Sequence, residues 1–323
     1  MTVPARIGSL NLHGATCCRR QCPPATCPNR PPNSVGPTAH PGGPAQEQSL
    51  TPSKRADAIN PDAGDPGRPV TEWLIKHVPL QPRTRMLEIA AGSGTVTFAA
   101  AVHAPEAAYV CTDVNVDAVM AAAHRASSTS GDARGWGRVA SIAFLAADMR
   151  RLPFTSGAFD AALCRMGFMF APDPTVAFRE ARRVLRPGGM LAFAVWEAPE
   201  QNPWQSHLDE ALATFGVEDR SAERRPGGMF GLADQASVHR SLEEAGFSVV
   251  ERADVQVLRE YRDFDEYWAQ EVDVGLDRPR RLRALAPVVL SSFHARLEAA
   301  LSPYREKGGY RIPGLSLAVV ARA

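Results

Sequence analysis

Apolar and polar positions alternate along this chain in two different rhythms, and the rhythm sets the elements it predicts. Between Pro66 and Val78, apolar residues recur at Val70, Trp73, Leu74 and Val78, the spacing of one helical face. Pro79 and Pro82 close that segment, and the apolar run at 86–89 reads as a buried strand. A helix from Thr95 to about residue 102, a strand over 108–114 and an alanine-rich helix over 116–127 follow. After a glycine- and arginine-bearing surface loop at 131–137, strands are expected at 140–145 and 159–164. Asp173 caps a helix that opens with Pro174 and runs to Leu185, and a fifth strand covers 190–196. Strands and helices alternating in this way imply a parallel sheet with right-handed crossovers, an α/β fold.

The second half is less regular. It predicts a helix over 203–215, a glycine-rich loop at 224–231 and a helix over 235–245 that Gly246 terminates. An alternating strand at 248–258, helical stretches at 264–272 and 281–301, and a last strand at 315–321 complete it. No internal repeat is apparent.

Composition changes the picture at the amino end. No acidic residue precedes Glu47, eight prolines lie between Pro23 and Pro44, and large apolar residues are sparse. Such a segment cannot offset its ordering entropy, so residues 1–62 are expected to be a disordered leader and 63–323 one domain. Cys17, Cys18, Cys22 and Cys27 fall in that leader at spacings that match no metal-ligand set, so no metal centre is expected. Cys111 and Cys164 sit in apolar strands and read as core thiols. A net charge of +1 argues against an electrostatically driven nucleic-acid partner. With no membrane-length apolar run and no secretory pattern, a cytoplasmic location is expected.

Candidate chemistry concentrates at 85–101, RMLEIAAGSGTVTFAAA, where a buried strand ends in Glu88 before a turn containing Gly92 and Gly94. Glycines let the turn bend sharply and approach a ligand, and the next helix points its free N–H groups back at it. Nucleotide-like ligands sit at such strand–turn–helix units in open α/β sheets. Asp113 ends the second strand 19 residues past Gly94, near the offset at which an acid meets ribose hydroxyls. The dinucleotide fingerprint is not met, because Thr97 occupies its third small position and Glu88 would crowd a pyrophosphate.

These residues resemble the class I S-adenosylmethionine-dependent methyltransferases, most closely the group typified by ubiquinone/menaquinone-biosynthesis enzymes. LEIAAGSG (87–94), CTDV (111–114), AADMRRLPF (146–154), FDAALCRMGFMFAPDP (159–174) and REARRVLRPGGMLAFAVWE (179–197) carry the resemblance in the expected order. It implies a doubly wound, Rossmann-like, seven-stranded sheet whose last strand is antiparallel, with S-adenosylmethionine as cofactor. It further implies that Glu88 helps hold the methionine part, beside the turn from Ala90 through Gly92 to Gly94. Asp113, next to Val114, would take the ribose hydroxyls, and Asp148 and Met149 would flank the adenine. Arg165 either lines the site after the fourth strand or pairs with a surface acid. Ala90 departs from the family, which often has glycine there.

Methyl transfer needs alignment and water exclusion more than a protein nucleophile. Phe168, Met169, Phe170 and Trp196 are candidates for shaping the methyl site, with core packing as their alternative role. His207 is the candidate general base. No Asn/Asp-Pro-Pro-aromatic motif follows the fourth strand, which disfavours nucleic acid as acceptor. Residues 198–234 and 259–312 hold most remaining aromatics and are expected to form a helical cap that admits a moderately apolar small molecule. The same aromatic surface would otherwise serve a homodimer interface. A non-catalytic cofactor-binding scaffold is the second class of function compatible with these residues.

Overall fold

The computed structural model describes residues 64–129, 141–218, 224–273 and 277–323. The expected leader at 1–62 and the loop at 131–137 lie outside the described residues. Five strands form the first half: β1 (Arg85–Ile89), β2 (Ala108–Asp113), β3 (Ile142–Ala146), β4 (Phe159–Arg165) and β5 (Leu185–Trp196). Helices α1 (Arg68–Lys76), α2 (Thr95–His103), α3 (Val116–Thr129) and α4 (Pro174–Val184) precede or connect them. Asp173 caps α4 as expected, its side chain accepting from the backbone N–H groups of Thr175 and Val176.

The sheet runs β3-β2-β1-β4-β5-β8-β6, where β6 is Ser248–Tyr261 and β8 is Gly309–Arg322. β1 to β5 pair in parallel, and β8 lies antiparallel between β5 and β6. The doubly wound architecture with an antiparallel last strand is therefore present. A two-residue strand, β7 (Arg305–Glu306), hairpins onto β8 and brings the sheet to eight strands. Strand order reverses at β1, which has β2 on one side and β4 on the other. The crevice outside the carboxyl ends of those strands is where open α/β sheets bind ligands.

Helices on both faces bury the central strands completely, which is why they read as continuous apolar runs. Ala161, Ala162, Leu163 and Cys164 of β4 are fully buried, as are Leu191 to Val195 of β5. Phe168, Phe178 and Phe193 pack together with ring centroids 4.6–5.4 Å apart, fixing α4 against β5. At the opposite, amino end of the sheet, Asp160 accepts hydrogen bonds from the backbone and guanidinium of Arg85 and from Arg186.

The second half departs from expectation in three places. β6 and β8 are each 14 residues and stay paired from Ser248↔Arg322 to Tyr261↔Tyr310, so β8 includes Pro313. β5 stops pairing at Ser316, so Pro313 interrupts no second ladder. The long helix expected over 281–301 is two, α8 (Asp277–Arg283) and α9 (Pro287–Leu301), because Pro287 starts a helix far better than it continues one. The expected helix at 264–272 begins as α7 (Phe264–Tyr267) and widens into a π-helical turn, Trp268–Val272. Helices α5 (Pro203–Thr214) and α6 (Gln235–Glu244) form close to expectation. No helix among the described residues is long and apolar enough to cross a membrane.

Candidate active site

The turn after β1 is held in a left-handed backbone path: Ala90, Gly92 and Gly94 have φ of +54°, +53° and +79°. A side chain at Gly94 would meet the Phe98 ring at 2.9 Å, so this position requires glycine on packing grounds as well. Ala90 adopts a conformation that costs an L-residue about 1–2 kcal/mol, consistent with glycine being common there in the resembling family. Two acids pin the turn. Glu88 lies beneath it, only 2% exposed, and its Oε2 accepts the Thr97 backbone N–H at 2.8 Å, satisfying an orphan donor of α2. Burial pushes the Glu88 carboxyl up to about 7, against the opposing pull of Thr97 and Arg165. Asp113 Oδ2 accepts the Gly92 N–H and Oδ1 the Asn115 N–H, both at 2.8 Å.

A second turn packs directly on the first. Met166 also has a left-handed backbone, with φ of +57°. A Cβ at Gly167 would fall 2.5 Å from Ala90 Cβ and 2.6 Å from Cys164 Sγ. The chain ends of β1 and β4 thus touch because one of them lacks a side chain.

Two cavities open beside these turns. The smaller, about 150 Å³, is lined by Ala90, Asp113, Val114, Asp148 and Met149, so five of the sequence-predicted site residues converge there. Asp148 also holds Arg150 through a bidentate pair at 2.6–3.0 Å, and these bonds keep its carboxyl below the ordinary value. Gly92 reaches the cavity through its bond to Asp113. The larger cavity, about 380 Å³, lies in the range of small-molecule sites, about 300–1,000 Å³. Met169, Phe170, Trp196, Trp204 and Met229 give it apolar walls. Phe170, about half exposed, lines both cavities.

Arg165 belongs to the larger cavity, where it pairs with Asp65 and donates to Thr71 Oγ1 at 2.9 Å. Arg165 therefore lines the larger cavity and not the smaller one, and its acidic partner Asp65 is part-buried and lines the same cavity. His207 is brought to neither cavity. Gln205 on α5 does line the larger one, and a position two residues on is turned by about 200°. The His207 ring instead lies 6.1 Å from Tyr304, where burial lowers its pKa.

The far wall contains residues that no sequence motif singled out. Arg259 lies over Trp204, 3.7 Å from the ring centroid, and pairs with Glu271. The Tyr261 hydroxyl donates to Glu271 Oε1 at 2.7 Å, and Arg278 donates to the Glu271 backbone oxygen at 3.0 Å. Burial raises the pKa of the Glu271 carboxyl above the ordinary range. The sequence placed Trp204 and Tyr261 in the expected cap at 198–234 and 259–312, but nothing in it distinguished Arg259 or Glu271 from other charged residues there.

Residues 87–193 match the family model described as Methyltransferase domain. A demethylmenaquinone methyltransferase of Beutenbergia cavernae is 33% identical over 135 residues, 42% of this chain and 50% of that protein. A ubiquinone/menaquinone biosynthesis C-methyltransferase of Dinoroseobacter shibae is 35% identical over 114 residues, 35% of this chain and 43% of that protein. The chain thus spans about half the length of the curated relatives it matches. Among solved structures, a Bacillus halodurans protein described as a candidate methyltransferase superposes with a TM-score of 0.50 at 21% identity. That superposition covers 78% of this chain and 97% of the other, and it shows a shared fold. The family match implies S-adenosylmethionine as the cofactor.

Proposed function

We propose, for a chain whose residues 87–193 form a class I methyltransferase domain, that it transfers a methyl group from S-adenosylmethionine to a small-molecule acceptor. One observation carries this reading: the crevice lined by Ala90, Asp113, Val114, Asp148 and Met149 and a second, larger cavity share the Phe170 wall. The residues present fit the cofactor. Each Asp113 oxygen holds one backbone N–H and retains acceptor capacity for a ribose hydroxyl. The left-handed turn through Ala90, Gly92 and Gly94 leaves room for close approach, and the buried Glu88, which lines neither cavity, acts on the methionine part through the turn it holds. Val114 and Met149 offer apolar surface to the adenine, beside Asp148. When bound, S-adenosylmethionine supplies a methyl already activated on a sulfonium, so the protein needs no nucleophile of its own. Residues 198–234 and 259–312 act as a cap over the acceptor, and their task is alignment and exclusion of water. A pocket of about 380 Å³ walled by Trp196, Trp204 and Met229 is of a size that suits a small molecule.

Calorimetry with S-adenosylmethionine tests the cofactor site. Asp113→Ala removes two hydrogen bonds to a charged group, each worth about 1.5–3 kcal/mol, so affinity falls about 100-fold or more. No binding by the parent protein, or equal binding by the variant, refutes the assignment. Methyl-labelled S-adenosylmethionine with a metabolite extract tests the chemistry, and binding without labelled product points to a non-catalytic scaffold.

A further inference from the structure

We infer that Glu271 is the proton-accepting residue of the larger cavity, and that the acceptor presents an ionisable O–H group to it. This inference rests on the methyl-transfer reading above.

Two acids line the cavity, and only one is free to act. Both oxygens of Asp65 are engaged, Oδ1 by the Gly67 N–H at 2.8 Å and Oδ2 by Arg165. Glu271 is nine-tenths buried, with a side chain only 10% exposed, yet Arg259 and Tyr261 both bond its Oε1. Its Oε2 has no hydrogen-bond partner among the described residues. That oxygen is not among the fully buried unpartnered atoms, so it opens onto the cavity, where a ligand hydroxyl can donate to it. The other charged groups in contact are Arg259 and Arg278, the latter paired with Glu218, so two cations face two anions. Neither arginine can accept a proton.

Position and basicity agree. The π-helical turn Trp268–Val272 carries both Gln270 and Glu271 on the cavity wall, and such turns are frequent at functional sites. Burial raises the proton affinity of Glu271 against the opposing pull of Arg259 and Tyr261, the direction a general base needs. Trp196, Trp204 and Phe170 line the same space and offer flat apolar surface to the acceptor. In the step itself, the acceptor oxygen forms its bond to the methyl carbon while the methyl–sulfur bond breaks and sulfur keeps the electron pair. The hydroxyl proton passes to Glu271 Oε2.

The test is binding of 4-nitrophenol and 4-nitroanisole to the full chain saturated with S-adenosylhomocysteine, below the pKa of the phenol. The two probes differ in the O–H group. The parent should prefer the phenol about tenfold, the worth of one hydrogen bond to a charged group. Glu271→Gln should lose most of that preference while keeping its affinity for S-adenosylhomocysteine. Absent phenol binding, equal binding of the two probes by the parent, or an undiminished preference in the folded variant overturns the inference. Because the parent comparison needs no variant, misfolding of Glu271→Gln leaves it decisive. Failure to bind S-adenosylhomocysteine would instead count against the methyl-transfer reading.

Discussion

Asp160 ties the amino ends of β1 and β4, and replacing it with Asn should weaken the whole fold without touching the site. Its carboxylate takes three bonds from Arg85, at 2.8, 3.1 and 3.0 Å, and one from Arg186 at 2.8 Å. Burial opposes ionisation of this group, but these hydrogen bonds outweigh it and pull its pKa from the ordinary 3.8 to about 2. That difference corresponds to roughly 2.4 kcal/mol of stability at neutral pH. Arg186 is about half exposed and screened by solvent, so about 2 kcal/mol is the expected effect of Asp160→Asn at pH 7. Since the folded pKa lies below the unfolded one, the contribution is complete above pH 4 and is lost as pH falls through 2. Linkage gives about half of it at pH 3. Urea unfolding of both proteins at pH 7, 5, 4 and 3 measures the difference directly. Urea is preferable to a guanidinium salt, which would screen the pair. A difference below about 0.5 kcal/mol at pH 7, or one that does not shrink towards pH 3, would refute the reasoning.

Other substitutions probe the packing around the two cavities. Asn202 is fully buried, donates to the backbone oxygens of Glu197 and Leu315, and accepts from Leu315 N–H and Trp204 Nε1. Asn202→Ala strands several buried groups and should cost about 3 kcal/mol or more in urea unfolding, and a loss under about 1 kcal/mol would count against it. Gly167→Ala forces a methyl to 2.5 Å from Ala90 Cβ, so it should lower stability by about 1–3 kcal/mol. Adding Ala90→Gly should recover part of that loss in thermal unfolding, because it removes the opposing methyl and a left-handed alanine.

The first half of this protein was legible in its sequence because its signals are local. Parallel strands buried on both faces are apolar runs, helices between them carry caps, and left-handed turns want glycine. Glu88, Gly92, Gly94 and Asp113 could therefore be placed at strand ends and turns before any coordinates. The resemblance to the family also flagged Ala90, where glycine is common, and the backbone angle there gives the reason. What the tertiary structure decided is the acceptor side. The larger cavity joins Asp65 and Arg165 to Trp204, Arg259 and Glu271, residues far apart in the chain that no periodicity links. Pairing of β6 with β8 carries Arg259 to that wall, and a π-helical turn adds Glu271. The helix phase that turns His207 away while Gln205 faces the cavity depends on how α5 packs. A sequence shows such side chains one at a time, whereas their joint chemistry exists only once the sheet and helices bring them together.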